Sequence, residues 1–412
     1  MKEITGGVCA PKGYKAGGIR CGIKASSQKE DLALIVSDAT ATAAAMFTAN
    51  RVKAASVLVS QEHLASRRCR GIIANSGNAN ACTGQAGLDA AYRMAGLAAE
   101  KLGCSQGEIA VASTGVIGLP LPIEPIEQGM DALMASLSAD AAGHDRALSA
   151  IMTTDTRRKE GALEFDLGDS AIRIGGMVKG AGMIHPNMAT MLAFITTDAA
   201  ISAELLEKAL RRAVGHSFNR VTVDGDTSTN DTIIVLANGA AQNREIQEEG
   251  PEYAQFADAL EQLCVGLAKA IARDGEGATR LMTVTVKSGL AEEAAEALAK
   301  SVASSSLVKA ACFGADANWG RILCAMGYSG VDFNPEEVSV AFASSAGELR
   351  VCAKGAALPF SEETAKEILS CEEVEIAIAL GNTLGGTAHN TVTVWGCDLT
   401  YDYVKINGDY RS

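Results

Sequence analysis

The chain has 412 residues, 48% of them hydrophobic, 21% charged and only 4% aromatic, with a formal net charge of -13. That length suits two or three domains with cores of their own, and an acidic chain without a basic stripe argues against a nucleic-acid partner, because phosphate binding needs clustered Lys and Arg. The 11 cysteines follow no CxxC or zinc spacing, so they read as reduced, mostly buried thiols of a cytoplasmic protein, and no window approaches the ~20 apolar residues of a membrane span.

The N-terminal MKEITGGVCAPKGY has no apolar core of a secretory leader. DLALIVSD (31–38) and RGIIANSG (70–77) read as strands, and a helix follows from about Gln85 to Leu102. GEIAVASTGVIG (107–118) reads as a strand running into a glycine turn. Residues 123–137 and 144–154 carry helical patterns, and AIRIGGMVKG (171–180) reads as a strand. MLAFITTDA, which follows Thr190, has the look of a buried strand. Residues 202–218 are helical in period, with Ser202 as N-cap. Residues 219–239 are β-type, broken by a polar loop. A long helix spans 251–273, and TRLMTVTVKSG (279–289) alternates as a strand. After Glu292 come two helices, a hairpin from 337–344 and 347–355, and strands at 373–381 and 390–400. Strands and helices mix without strict βαβ alternation, so layered α+β sheets are expected rather than a dinucleotide-binding fold, with a loose domain boundary near 285–290.

Five stretches could carry chemistry. In KGAGMIHPNMATMLAF, Thr190 follows the small residue Ala189 and opens an apolar run. If the chain were cut between them, Thr190 would own both a hydroxyl nucleophile and a free α-amine of pKa about 7.7–8.0, a base near neutrality. The cut needs no outside catalyst: the Thr190 hydroxyl attacks the Ala189 carbonyl and the ester hydrolyses. Gly180, Gly182 and Pro186 would allow the bend this requires. An ordinary loop entering a core strand fits the same residues. In VASTGVIGLP, Thr114 and Gly115 could present a hydroxyl and an N–H to one point, as an oxyanion hole does; a plain β-turn fits too.

VDGDTSTND places Asp224, Asp226 and Ser228 like the first ligands of a calcium loop, but Thr229 and Val235 stand where that loop needs Gly and Glu. A polar loop satisfied by its own side chains is the better match. ARDGEGATR sets the Glu276 carboxylate between two glycines, on a flexible turn at a helix end. ADANWGRIL could line a pocket or start a helix. The five histidines (63, 144, 185, 216 and 389) have no nucleophile-elbow partner, and no phosphate-binding glycine motif occurs.

KGAGMIHPNMATMLAFITTDA, ASTGVIG, MTTDT, SFNRVTVDGDTSTNDT, DGEGAT, NWGRIL and the terminal WGCDLTYDYVKINGDYRS, in this order, resemble the glutamate N-acetyltransferase/ornithine acetyltransferase family of arginine biosynthesis over essentially the whole chain. The resemblance implies an αββα layered sandwich related to self-cleaving aminopeptidases, with an added C-terminal α+β portion. It implies cleavage at Ala189–Thr190, giving an α chain of residues 1–189 and a β chain that completes the catalytic core over 190–285 and continues as the C-terminal domain over 286–412. The products would stay together as a heterotetramer of two of each chain.

By the same resemblance Thr190 is the nucleophile, acetylated by N2-acetyl-L-ornithine and deacetylated by L-glutamate. Thr114 and Gly115 are the oxyanion-stabilising pair, and Thr153, Lys179, Thr190, Glu276, Asn407 and Ser412 contact substrate. Thr154 is adjacent to Thr153 and competes for its role. Ser412 stands where family members often carry Thr. No cofactor or metal is implied, and acetyl-CoA stays open as a second acetyl donor. The competing readings are an amidase or aminopeptidase that uses the same threonine and passes the acyl group to water, and an uncut amino-acid-binding protein.

Overall fold

The computed structural model describes residues 1–24, 28–185, 191–381 and 390–408. The chain forms two compact units. The first holds Met1–Gly180, Asn187–Asn219 and Thr227–Leu267; the second holds Ala181–Pro186, Arg220–Asp226 and Ala268–Ser412. The α+β class expected from the sequence is the class found in both.

The first unit is built on a nine-stranded sheet. Its strands are β1 (Lys2–Glu3), β2 (Tyr14–Ile19), β3 (Leu32–Phe47), β4 (Arg68–Asn78), β5 (Ile109–Val116), β6 (Glu160–Leu167), β7 (Ser170–Lys179) and β8 (Leu192–Thr197). β9 (Val221–Thr222) belongs to the other sheet, and β10 (Thr232–Ala237) completes this one in the order β1-β6-β7-β8-β10-β3-β4-β5, with β2 also on β3. β4–β5 and β8–β10 are parallel and the other pairs antiparallel.

Period-2 alternation in β3 decides which residue meets which helix. Leu32, Leu34 and Val36 pack with α1 (Ala55–His63), α2 (Gly84–Leu102) and α3 (Ile123–Ala135). Ala33 and Ile35 pack with α4 (Ala141–Ile151). Both faces are therefore buried, which is why DLALIVSD reads as a continuous apolar run.

α4 starts three residues before the expected 144, because the Asp140 side chain accepts from the Gly143 N–H as its N-cap. It ends at Ile151, where Met152 turns extended (ψ 145), so MTTDT leaves the helix. The helix expected over 202–218 is α5 (Ala203–His216), capped by Ser202, whose hydroxyl accepts from the Leu205 N–H.

α6 (Pro251–Arg273) leads into the second unit, whose seven-stranded sheet runs β14-β13-β12-β15-β11-β16-β9. These are β11 (Leu281–Ser288), β12 (Val338–Ser344), β13 (Gly347–Ala353), β14 (Ala356–Ala357), β15 (Glu373–Leu380) and β16 (Asn390–Cys397). Met282, Val284 and Val286 of β11 and Val392 and Val394 of β16 point into one core with α7 (Glu292–Ser304), α8 (Ser306–Phe313), α9 (Trp319–Gly327) and α10 (Glu362–Leu369). α11 (Tyr401–Gly408) follows the last strand. β11 is central, pairing with both β15 and β16. The boundary expected at 285–290 would cut this strand, and the units divide instead within α6, at Leu267 and Ala268.

Candidate active site

β4 and β5 run side by side and in register until Gly77, where a bulge shifts the pairing. Gly77 and Gly115 face each other there, at φ +97° and +134°. A Cβ on Gly115 would stand 2.3 Å from the Gly77 carbonyl carbon, so only glycine fits. Bulges re-aim side chains beside functional sites, and the residue at this one is Thr114, buried at the end of β5.

Thr114 Oγ1 accepts a 3.2 Å hydrogen bond from Lys179 Nζ, which the last position of β7 delivers. Lys179 is 4% exposed. An ammonium that donates to a hydroxyl oxygen leaves the hydroxyl proton free to donate elsewhere. The structure thus brings Lys179 to the adjacent pair Thr114 and Gly115, which lies far from it in sequence.

Asp155 binds the neighbourhood together, although the sequence reading passed over it. Its Oδ1 accepts from Lys159 Nζ (2.7 Å) and the Gly180 N–H (2.7 Å), and its Oδ2 accepts from the Thr153 N–H (3.0 Å). The backbone at Thr153 and at Gly180, directly after Lys179, is therefore held by one carboxylate. Burial opposes its ionisation, but Lys179 and Lys159 outweigh that and hold the carboxyl well below the ordinary carboxylate range. Lys24 adds another ammonium, donating to the Met152 carbonyl (2.8 Å); burial pushes it down to about 8.

The polar loop of VDGDTSTND does structural work on this end of the sheet. Asn230 Nδ2 donates to the carbonyls of Ala79 (2.6 Å) and Ser113 (2.8 Å), the second directly before Thr114. Thr48 donates to the Ser228 carbonyl (2.7 Å). Asp231 Oδ1 accepts from the Met191 N–H (3.0 Å), one residue beyond Thr190. In the second unit, Asp224 accepts from the N–H groups of Met183 (2.6 Å), Ile184 (2.9 Å) and Asp226 (3.2 Å). Only the Asp226 N–H lies within the loop, so Asp224 is satisfied mainly by the Met183–Ile184 backbone and not, as expected, by the loop itself.

Glu276 and Asn407 also meet in the second unit: Asn407 Nδ2 donates to Glu276 Oε2 at 2.8 Å. The expected flexible turn is instead tightly packed, and Glu276 is 8% exposed. A Cβ on Gly275 would meet Cys397 Sγ at 2.7 Å, and one on Gly277 would meet the Tyr403 nitrogen at 2.6 Å. Gly182, expected to loosen the approach to the cut, has a steric reason of its own: a Cβ there would stand 2.3 Å from Glu276 Oε2. Asn318 caps α9, accepting from the Arg321 N–H, which makes NWGRIL a helix start. Ala189, Thr190 and Ser412 lie outside the described residues.

A family model described as the ArgJ family matches residues 15–412. The arginine biosynthesis bifunctional protein ArgJ of Caldanaerobacter subterraneus subsp. tengcongensis is 47% identical over 412 residues, covering all of both chains. The protein of the same name from Symbiobacterium thermophilum is 48% identical over 413 residues, again across all of both. A crystal structure of the arginine biosynthesis bifunctional protein from Bacillus halodurans is 45% identical and covers 52% of this chain and 97% of its own, at a TM-score of 0.48. The family model over residues 15–412 and relatives 47–48% identical across the whole of both chains make this chain a member of the ArgJ family.

Proposed function

We propose that the chain cuts itself between Ala189 and Thr190, and that Thr190 then carries an acetyl group from N2-acetyl-L-ornithine to L-glutamate. Membership of the family supports this, as do relatives named for a bifunctional role in arginine biosynthesis. The observation that carries it is the Lys179–Thr114 hydrogen bond beside Gly115.

The donor's acetyl amide is resonance-stabilised, so attack by Thr190 Oγ builds negative charge on the acetyl oxygen. The Thr114 hydroxyl and the Gly115 N–H are the donors for that charge, with the Lys179 ammonium behind them. One such donor is worth about 10²–10³ in turnover. The Thr190 α-amine takes the hydroxyl proton and returns it to the leaving amine of ornithine. Glutamate then attacks the acetyl ester through its own amine. Both amino acids share an α-amino-acid head, so one site serves both half-reactions and the kinetics are ping-pong.

Lys179 and Thr153 meet the anionic part of the substrate, Glu276 with Asn407 and Ser412 the polar remainder. In this reading acetyl-CoA is a further acetyl donor, and no cofactor is required. The processed chains remain together as a heterotetramer of two of each, in the cytoplasm.

The Thr190→Ala chain tests the reading. It is expected to stay at full length and to transfer no acetyl group, by intact-mass measurement and by assay with acetylornithine and glutamate. Cleavage of this variant at the same bond would refute the mechanism. Release of free acetate without N-acetylglutamate from the natural enzyme would point to the hydrolase instead.

A further inference from the structure

Lys24 lies between β2 and β3, half-buried. Asp31 fixes the backbone there: its carboxylate accepts from the N–H groups of Cys21 (2.7 Å), Gly22 (3.0 Å) and Lys24 (3.0 Å). From that anchor the Lys24 side chain passes over the β4–β5 bulge. A Cβ on Gly77 would meet Lys24 Cγ at 2.6 Å, so the glycine leaves room for the stem. The ammonium donates to the carbonyls of Glu30 (3.2 Å) and Met152 (2.8 Å), the second directly before Thr153.

Both acceptors are uncharged, and no carboxylate hydrogen-bonds the Lys24 ammonium among the described residues. The two carboxylates that act on it are occupied elsewhere. Asp31 holds its three N–H groups, and Asp155 holds Lys159 and the N–H groups of Thr153 and Gly180. Burial, Lys29 and Lys179 push Lys24 down to about 8 against the pull of Asp31 and Asp155, so it still carries its charge at neutral pH. A half-buried ammonium bonded only to carbonyls gains most from an anionic ligand, because hydrogen bonds between two charged groups are the strong ones.

We propose that Lys24 is a specificity-determining residue for the acetyl acceptor: it receives the carboxylate that L-glutamate has and ornithine lacks. This rests on the proposed transfer of acetyl to glutamate. The donor brings one carboxylate and a side chain that ends in an ammonium; the acceptor brings two carboxylates. The bulge end of the first sheet offers two matching cations, Lys179 on Thr114 and Lys24 on the Met152 carbonyl. Lys179 serves the carboxylate common to both substrates. Lys24 gains a counter-ion only when glutamate arrives, and with the donor bound it stays on its two carbonyls. A site that serves both half-reactions can thus choose its acceptor by charge.

The test is Lys24→Met in the full chain, which keeps most of the stem and removes the charge. N2-acetyl-L-ornithine is the donor, and L-glutamate is compared with the uncharged, isosteric L-glutamine as acceptor. KM for glutamate is expected to rise about 10–100-fold, the loss of one hydrogen bond between charged groups, while KM for acetylornithine changes less than about threefold. The preference of the natural enzyme for glutamate over glutamine, by kcat/KM, is expected to shrink about tenfold or more in the variant. A merely structural role would weaken the donor and both acceptors together and keep the preference; that result would overturn the proposal. So would a natural enzyme that uses both acceptors equally well. If Lys24→Met does not fold, Lys24→Arg decides: the retained charge should preserve the preference, and its collapse would overturn the proposal. A natural enzyme that acetylates neither acceptor would instead defeat the reading on which it rests.

Discussion

Three buried charges, Asp155, Lys159 and Lys179, share the end of the first sheet, and their value lies in how they hold one another. Leaving buried cations without their carboxylate costs about 3–5 kcal/mol. Asp155→Asn is therefore expected to lower the unfolding free energy by that order, by urea denaturation at pH 7. The gap depends on pH in a definite direction. The folded carboxyl is held below its unfolded value of about 3.9, so its contribution is complete above that pH and is lost as pH falls through the folded value. Melts taken at falling pH below about 4 should show the two chains converging; a constant difference would contradict this pairing. None of it was legible in MTTDT, since Asp155 acquires meaning from Gly180 and Lys179, which the strand order brings near. Thr114, Lys179 and Glu276 were legible only through the joint order of motifs, because each alone also fits a turn, a strand end or a helix cap.

Elements with strong period were readable from the sequence. Ser202 with Glu204 announced α5, and the alternation of residues 279–289 announced β11. β3 instead runs on to Phe47, well past the expected end at 38, because its second half, TATAAAMF, pairs with β10 through small residues of little hydrophobic contrast. α1 was missed because ASVLVSQEH is short and its apolar residues mark no single face. The bulge of β4 on β5 was also invisible, as a glycine in ASTGVIG gives no hint of the Gly77 backbone opposite. It has a sharp consequence. Gly115→Ala would force its Cβ against Gly77 and hold a side chain at φ +134°, disturbing the N–H proposed to meet the acetyl oxygen. Turnover is expected to drop about 10²-fold or more with KM little changed, by steady-state kinetics in both half-reactions. Unchanged turnover would remove Gly115 from the oxyanion site.

At the scale of the whole molecule, the sequence foretold the α+β class but not where the two units divide. Each unit has its own sheet and its own core, but the second draws Ala181–Pro186 and Arg220–Asp226 from the middle of the chain. Residues 220–226 join it through β9, which pairs with β16 across a sequence distance no local pattern reports. Thr190 lies in the sequence between Met183–Ile184, held by Asp224, and Met191, held by Asp231. The proposed cut falls in the sequence between two segments whose backbone N–H groups are each held by a carboxylate. Intact-mass spectrometry of the purified protein before and after acetylornithine tests this most directly. Expected are two chains divided between Ala189 and Thr190, the second gaining one acetyl group that added glutamate removes as N-acetylglutamate. A single uncut chain, or a 190–412 fragment that never becomes acetylated, would contradict it.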